Sequence, residues 1–300
     1  MWFKNLKIYH ITQPLELTAE ELQDKLSEAS FRPCGSQDLA TMGWSAPLGQ
    51  GESLVHSADG KFLLCLKKQE RILPSVVVNG EVEARAQKIE LETGAPVGKK
   101  AKADIKQEVI HHLLPKAFTR DSYTFAFMAP RENLVVVDSS NDSKAETLLA
   151  TLRKAIGSLP VVPIARRSVS ADLTQWLQSP EKCPQGFELL EEAELKSPNE
   201  DGATIRCKNQ PLDADEVQLH LQNGKLVQKL AIEWDETLSA LLQEDLAVKR
   251  VKFSDVLREQ NQDIPKDQQL ARLDADFCLM AAETVRLIKA LDEALALTQE

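Results

Sequence analysis

The chain is 300 residues long, with 43% hydrophobic and 27% charged residues, which permits a sizeable core and excludes wholesale disorder or a collagen-like repeat. Its 36 Lys and Arg stand against 46 Asp and Glu, a formal net charge of -10, so a surface that grips nucleic acid everywhere is excluded. No apolar run approaches the roughly 18 residues of a membrane-spanning helix, and the segment Met1 to Lys7 lacks the pattern of a secretory signal; a soluble, cytoplasmic protein with no membrane partner is expected.

In chain order, Phe3 to Ile11 alternates as a strand, and Thr18 with Glu21 forms a capping-box signature for a helix through about Ala29. Phe31 to Gly51 is rich in Gly, Pro and Ser and reads as an ordered loop, and Lys61 to Lys67 as the next strand. After Pro74, Val78, Val82, Ala86 and Ile89 recur on one helical face until Gly94 to Gly98 breaks it; a second, basic helix from about Lys102 to Leu114 carries Ile105, Val109 and Leu113. Tyr123 to Met128 and Leu134 to Asp138 flank a turn and predict an antiparallel hairpin, after which Asp142 is read as the cap of a helix running to Gly157. Leu159 to Ile164, bounded by prolines, is read as an edge strand.

The second half predicts strands at Gly186 to Leu195 and Gly202 to Lys208, then a helix capped by Asp213 with Glu216. Strands follow at Lys225 to Trp234, Thr237 to Leu242 and Val248 to Phe253. A long helix from about Asp267 to Leu297 ends the chain, with Leu270, Leu273, Phe277, Met280, Val285, Ile288, Leu291 and Leu295 on its apolar face for a core or a dimer seam. The expected class is α+β, with antiparallel sheets and flanking helices.

Signals for chemistry are sparse. Five scattered cysteines suggest reduced thiols rather than a disulfide framework or zinc site. His111 and His112 are neighbours on a helix and point about 100° apart, so they do not chelate one metal. No phosphate-binding glycine loop, dinucleotide fingerprint or nucleophile elbow is present, and no cofactor is expected. Asp274 and Asp276 are the best carboxylate pair for a Mg²⁺-dependent nuclease, but two residues apart on a helix they do not share a face. Glu191, Glu192 and Glu194 read as an exposed acidic face.

Charge is distributed unevenly. Lys61 to Arg120 holds twelve basic and seven acidic residues, and Lys144 to Arg167 five and one. Glu181 to Asp245 holds six and fifteen, and Phe253 to Glu300 five and ten. The basic stretch around Gly94 to Lys106 is either a solvated helix start or a surface for phosphates, where Lys and Arg displace counterions without reading bases. With aromatics at only 5%, backbone contact with a duplex is favoured over stacking on single strands.

Several blocks in order, WFKNLKIY, FRPCGSQDLATMGW, ILPSVVV, EVIHHLLPKAFTR, LRKAIGSLPVVP, QGFELLEEAELKS, VKFSDVLREQNQD and LDADFCLM, resemble the bacterial recombination-associated RdgC family over essentially the whole chain. The resemblance implies a DNA-binding protein that is not an enzyme: a homodimer closed into a ring with a basic hole for duplex DNA, binding with little sequence preference and restraining RecA-dependent recombination at the nucleoid. It implies an elongated subunit, divided as a central and base α+β portion (1–74), a helical tip with a basic hinge (75–121), a central α+β portion (122–180) and a second α+β portion with the long helix (181–300). A ring reconciles acidity with DNA binding by lining its hole with the basic stretches. On that reading Lys99, Lys100, Lys102, Lys106, Lys116 and Arg120 contact phosphates, with Lys67, Lys68 and Arg71 beside them. Phe118 is either core or a ring-closing contact, joined by Lys208 and Gln210; family members often carry a second basic residue where this chain has Asn209. The long helix and the strands from Lys225 to Phe253 are candidates for the other seam. The alternatives are a metal-dependent nuclease built on Asp274 and Asp276, and a scaffold that binds recombinase without DNA. Single-stranded DNA remains open as a second ligand.

Overall fold

The structure is a computed structural model that describes residues 1–49, 51–199, 202–265 and 268–297. The first half runs β1 (Leu6–Ile11), α1 (Ala19–Ser27), β2 (Ala40–Ser45), β3 (Val55–Ala58), β4 (Lys61–Arg71), α2 (Ser75–Thr93), α3 (Lys99–Leu113), β5 (Thr119–Ala129), β6 (Leu134–Asp138), α4 (Asp142–Ile156) and β7 (Val161–Pro163). The second runs α5 (Ser170–Gln178), β8 (Phe187–Lys196), β9 (Thr204–Lys208), α6 (Asp215–Gln222), β10 (Leu226–Trp234), β11 (Leu238–Gln243), β12 (Val248–Phe253), α7 (Asp255–Glu259) and α8 (Gln269–Leu295). The fold is α+β: one open, twelve-stranded sheet in the order β2-β4-β5-β6-β1-β12-β11-β10-β8-β9, with β3 on β4 and β7 on β1. Its strand pairs are antiparallel throughout.

Alternation decides which helices cover which face. Along β4, Phe62, Leu64 and Leu66 point into a core shared with Leu22 and Leu26 of α1 and Leu148 and Leu152 of α4. Leu63 points the other way, into a larger core that runs along the sheet under α5, α6 and α8. Each fully buried Leu contributes about 1.5–3 kcal/mol. The apolar stripe of α8 is buried inside its own chain, with Phe277, Met280 and Leu291 at 0% exposure, so that stripe closes a core and is not available as a seam. Phe277 meets Phe127 edge-on at 6.2 Å, which bolts the C-terminal helix to the first half of the sheet. The two halves meet at β1 and β12 through the pair Leu6 and Val248, and Lys7 reaches across that junction to Asp142 at 2.5 Å and Asp245 at 2.9 Å.

The capping box at Thr18 forms as expected, Thr18 N donating to Glu21 at 2.9 Å and Glu21 N to the Thr18 hydroxyl at 3.1 Å. Elsewhere the sequence expectations need correction. Asn141 rather than Asp142 caps α4, because its side chain accepts from Lys144 N; Asp142 is thereby free to pair with Lys7. Asp213 lies one residue too early to cap α6, whose N-cap position is Ala214 with no side-chain bond. The basic helix begins at Lys99 directly after Gly98, three residues earlier than expected, because lysines propagate a helix well once the glycine has released the chain. The expected loop from Phe31 to Gly51 contains β2: Gly43 lets the backbone of Phe31 approach so closely that a Cβ there would lie 2.5 Å from Phe31 Cα. Gly43 therefore supplies a close approach rather than a turn. The start expected for the last helix at Asp267 lies outside the described residues, and the described helix begins at Gln269.

Candidate nucleic-acid interface

The helical hairpin of α2 and α3 leaves the sheet between β4 and β5. Pro74 starts α2, and Gly94, in a left-handed conformation at φ 69, ends it and turns the chain toward α3. The hairpin closes over a small core of its own, Val78, Val82, Ala86, Ile105 and Val109. Five buried side chains stabilise only a modest unit, and its outer surface is correspondingly free to be polar.

On α3 the 3.6-residue period places Lys99, Lys102 and Lys106 along one flank and turns Lys100 away. Gly98 offers no side-chain cap and the first turn has no acid. Lys99, Lys100 and Lys102 thus stand at the positive end of the helix dipole, each opposed by about 0.3–1 kcal/mol. Residues chosen for helix stability would have the opposite sign. Lys102 donates to Glu83 of α2 at 2.9 Å and Lys116 lies 3.1 Å from His112 Nε2. Lys99, Lys100 and Lys106 have no ion pair among the described residues.

The four basic residues on the strands are all engaged. Lys67 pairs with Asp121 at 2.7 Å and lies 4.5 Å from the Phe31 ring centroid; the hydrogen bond to Asp121 raises its pKa. Lys68 pairs with Glu70 at 3.0 Å, and Arg120 binds the same carboxylate. Arg120 first and Lys68 second hold that carboxyl below its ordinary range. Arg71 donates to the carbonyls of Ala117 at 2.9 Å and Gly35 at 3.0 Å, so it clamps loops together. Lys67 and Arg71 lie on one face of the sheet, Lys68 and Arg120 on the other.

Phe118 is 84% exposed, which removes the core reading for the single chain. Its carbonyl accepts from Ile72 N at 2.8 Å, and Ile72 is itself exposed. Lys208 and Gln210 do not join it within the chain. They lie at the β9 edge, seven strand steps from β5 along the sheet path, about 33 Å at the usual spacing. Gln210 donates to Glu216 at 2.6 Å. Asn209 has φ 53, a conformation that Asn tolerates better than Lys or Arg.

The carboxylates of the nuclease alternative are separately occupied. Asp274 lies 2.8 Å from His56 Nε2, while Asp276 accepts from the Met1 amino group at 3.0 Å and from Asn261 at 3.1 Å. Both tie α8 to neighbouring segments. Among the described residues no group of three or more His, Cys, Asp or Glu is placed to hold a metal ion. Glu192 and Glu194 are likewise paired, with Arg250 at 2.9 Å and with Arg206 at 2.7 Å and Lys229 at 3.0 Å. The five cysteines are free thiols, and burial pushes Cys65 and Cys183 up to about 11. No helix among the described residues is long and apolar enough to cross a membrane.

A family model described as "Putative exonuclease, RdgC" matches residues 1–298. The chain belongs to the RdgC family. It is similar to the recombination-associated protein RdgC of Pseudoalteromonas atlantica, 61% identical over 300 residues covering 100% of this chain and 99% of the relative. RdgC of Aeromonas hydrophila is 50% identical and that of Yersinia enterocolitica 46% identical, each over 297 residues and 98% of both chains. The RdgC match therefore spans the α2–α3 hairpin and both ends of the sheet.

Proposed function

We propose that this RdgC protein is a non-enzymatic, non-sequence-specific binder of double-stranded DNA that acts in homologous recombination at the nucleoid. Two copies close into a ring, duplex DNA occupies its basic hole, and RecA-dependent strand exchange is restrained because the DNA is covered. The observation that carries the reading is the group Lys99, Lys100 and Lys106, without an ion pair among the described residues, of which Lys99 and Lys100 also oppose the helix dipole, in a chain of net charge -10. Free cations on a protruding hairpin are what phosphate contact requires, and they read no base. Phe118, exposed just ahead of β5, and Lys208 with Gln210 at the β9 edge support a ring-closing contact between the two copies, self-complementary about a two-fold axis.

Fluorescence anisotropy with two unrelated duplexes of equal length tests the binding, and sedimentation velocity tests the dimer. Equal affinities that fall steeply with salt are expected; a tenfold preference for one sequence refutes the reading. Phe118→Ala is expected to open the ring and weaken duplex binding. The family's description as an exonuclease is tested by incubating duplex and single-stranded DNA with Mg²⁺ or Mn²⁺. Cleavage lost in Asp276→Ala would replace this proposal with the nuclease.

A further inference from the structure

A concave surface lies at the foot of the hairpin, where β4 leads into α2 and β5 follows α3. Between the first turn of α4 and the outer ends of β2, β4 and β5 is a groove of about 690 Å³, inside the roughly 300–1,000 Å³ of sites that hold small organic groups. It continues the sheet face that carries Leu64 and Ala126 into the core, so strand alternation delivers Lys68, Arg120, Ser122 and Thr124 to the same side. Leu66 and the half-exposed Met42 supply apolar contact. Glu70 already engages Lys68 and Arg120, whereas Lys144 has no ion pair among the described residues and adds an uncompensated positive charge beside the α4 N-terminus. The Ser122 hydroxyl makes only a 3.5 Å contact with the Lys68 carbonyl, and that of Thr124 has no hydrogen-bond partner among the described residues.

We propose that this groove binds one unpaired nucleotide of single-stranded DNA, with the base against Met42 and Leu66, its edge on the hydroxyls of Ser122 and Thr124, and its phosphate on Lys144. The proposal rests on the DNA-binding reading above and adds a strand-selective subsite to it. A hydroxyl both donates and accepts, so the pair satisfies the edge of any base without selecting one. A polarisable, flexible Met adapts to different ring faces. Duplex bases already pair along those edges, so the groove discriminates strandedness rather than sequence. An acidic peptide would use the cations but not the combination of apolar floor and two-way hydrogen-bonding wall.

Anisotropy with a labelled mixed-sequence 12-mer, single-stranded and as the blunt duplex, tests this in the full-length protein. Lys144→Glu replaces a cation by an anion at a helix N-terminus, which favours the helix, and a thermal melt checks folding. Single-strand affinity is expected to fall about tenfold in Lys144→Glu, in line with loss of a charge-assisted contact, and about threefold in Thr124→Val, in line with loss of one hydrogen bond. Duplex affinity is expected to stay unchanged in Thr124→Val. Unaltered single-strand binding in both variants, or equal losses for both DNA forms, overturns the proposal. So does an oligo-glutamate peptide that requires Lys144 while the single strand does not. Failure of the wild type to bind duplex defeats the functional reading above and leaves the single-strand comparison measurable, so the two failures are distinguishable.

Discussion

Replacing Lys99, Lys100 and Lys106 together by Gln removes three cations that carry no ion pair among the described residues. Two of them oppose the α3 dipole, so their loss relieves about 0.3–1 kcal/mol each and the hairpin remains folded. If each neutralises one phosphate, the slope of log affinity against log salt becomes shallower by about 0.9 per contact, or about 2.7 for one chain and twice that for two. From 50 to 200 mM salt, the wild type should lose about 40-fold more affinity than the variant for each chain engaged. Anisotropy on one duplex at five salt concentrations measures this directly. Lys68→Gln is the internal comparison: Lys68 is already held by Glu70, so exchanging that partner for a phosphate gains little and the slope should change by less than about one. A triple variant with the wild-type slope refutes the assignment of the hairpin to the DNA path, whatever its effect on affinity at a single salt.

Three further outcomes follow from packing and titration. Gly43→Ala forces a Cβ to within 2.5 Å of Phe31 Cα and should cost about 1–3 kcal/mol as overpacking; an unchanged urea midpoint would show that the β2 edge yields freely. Phe277→Ala removes a ring at 0% exposure packed on Phe127 and His56 and should cost about 3–5 kcal/mol, read by thermal melting. Burial opposes the charge on Lys7, but hydrogen bonds to Asp142 and Asp245 outweigh it and raise its pKa above 10.5. Its stabilising contribution is therefore complete below that ordinary value and is lost as pH rises through the raised one. The melting temperature should fall more steeply above about pH 10.5 in the wild type than in Lys7→Gln.

Long periodic elements were legible in the sequence because their signals are local. The fourfold spacing of Val78, Val82 and Ala86 reports the buried face of α2, and Thr18 with Glu21 carries its whole cap within four residues. The missed elements depend on distant chain. Strand β2 exists because Gly43 admits Phe31, and β3 has only four residues, paired along β4. At the site, the cluster of lysines was visible but their availability was not. Glu83, Asp121 and Glu70 reach Lys102, Lys67 and Lys68 through the hairpin and the β4–β5 register, and no linear count of charges reveals that pairing. Likewise, the seven strand steps that separate Phe118 from Lys208 within one chain depend on the sheet order and cannot be read from the sequence.

On the proposed DNA-binding reading, the net charge of -10 would act on DNA only through the distance over which it is felt. Much of the acid is matched locally, as with Glu194 holding Arg206 and Lys229, and Asp235 with Glu283 holding Arg286. The remainder lies mostly in the second half of the chain, away in sequence from the α2–α3 hairpin, whose six basic residues balance its six acids. At 0.1 M salt the screening length is about 10 Å, so phosphates at the hairpin respond to the lysines beside them and hardly to this remainder; at 0.01 M it is about 30 Å and the remainder repels the same DNA. The plot of log affinity against log salt should therefore be straight above about 0.1 M and bend below that line toward 0.01 M. A purely local basic site on a neutral body gives no such bend. Charge-neutralising substitutions at exposed acids remote from the hairpin, such as Glu236→Gln and Asp255→Asn, should reduce the bend without changing the high-salt slope. A line that stays straight to 0.01 M would show that the acidic remainder does not face the DNA path at all.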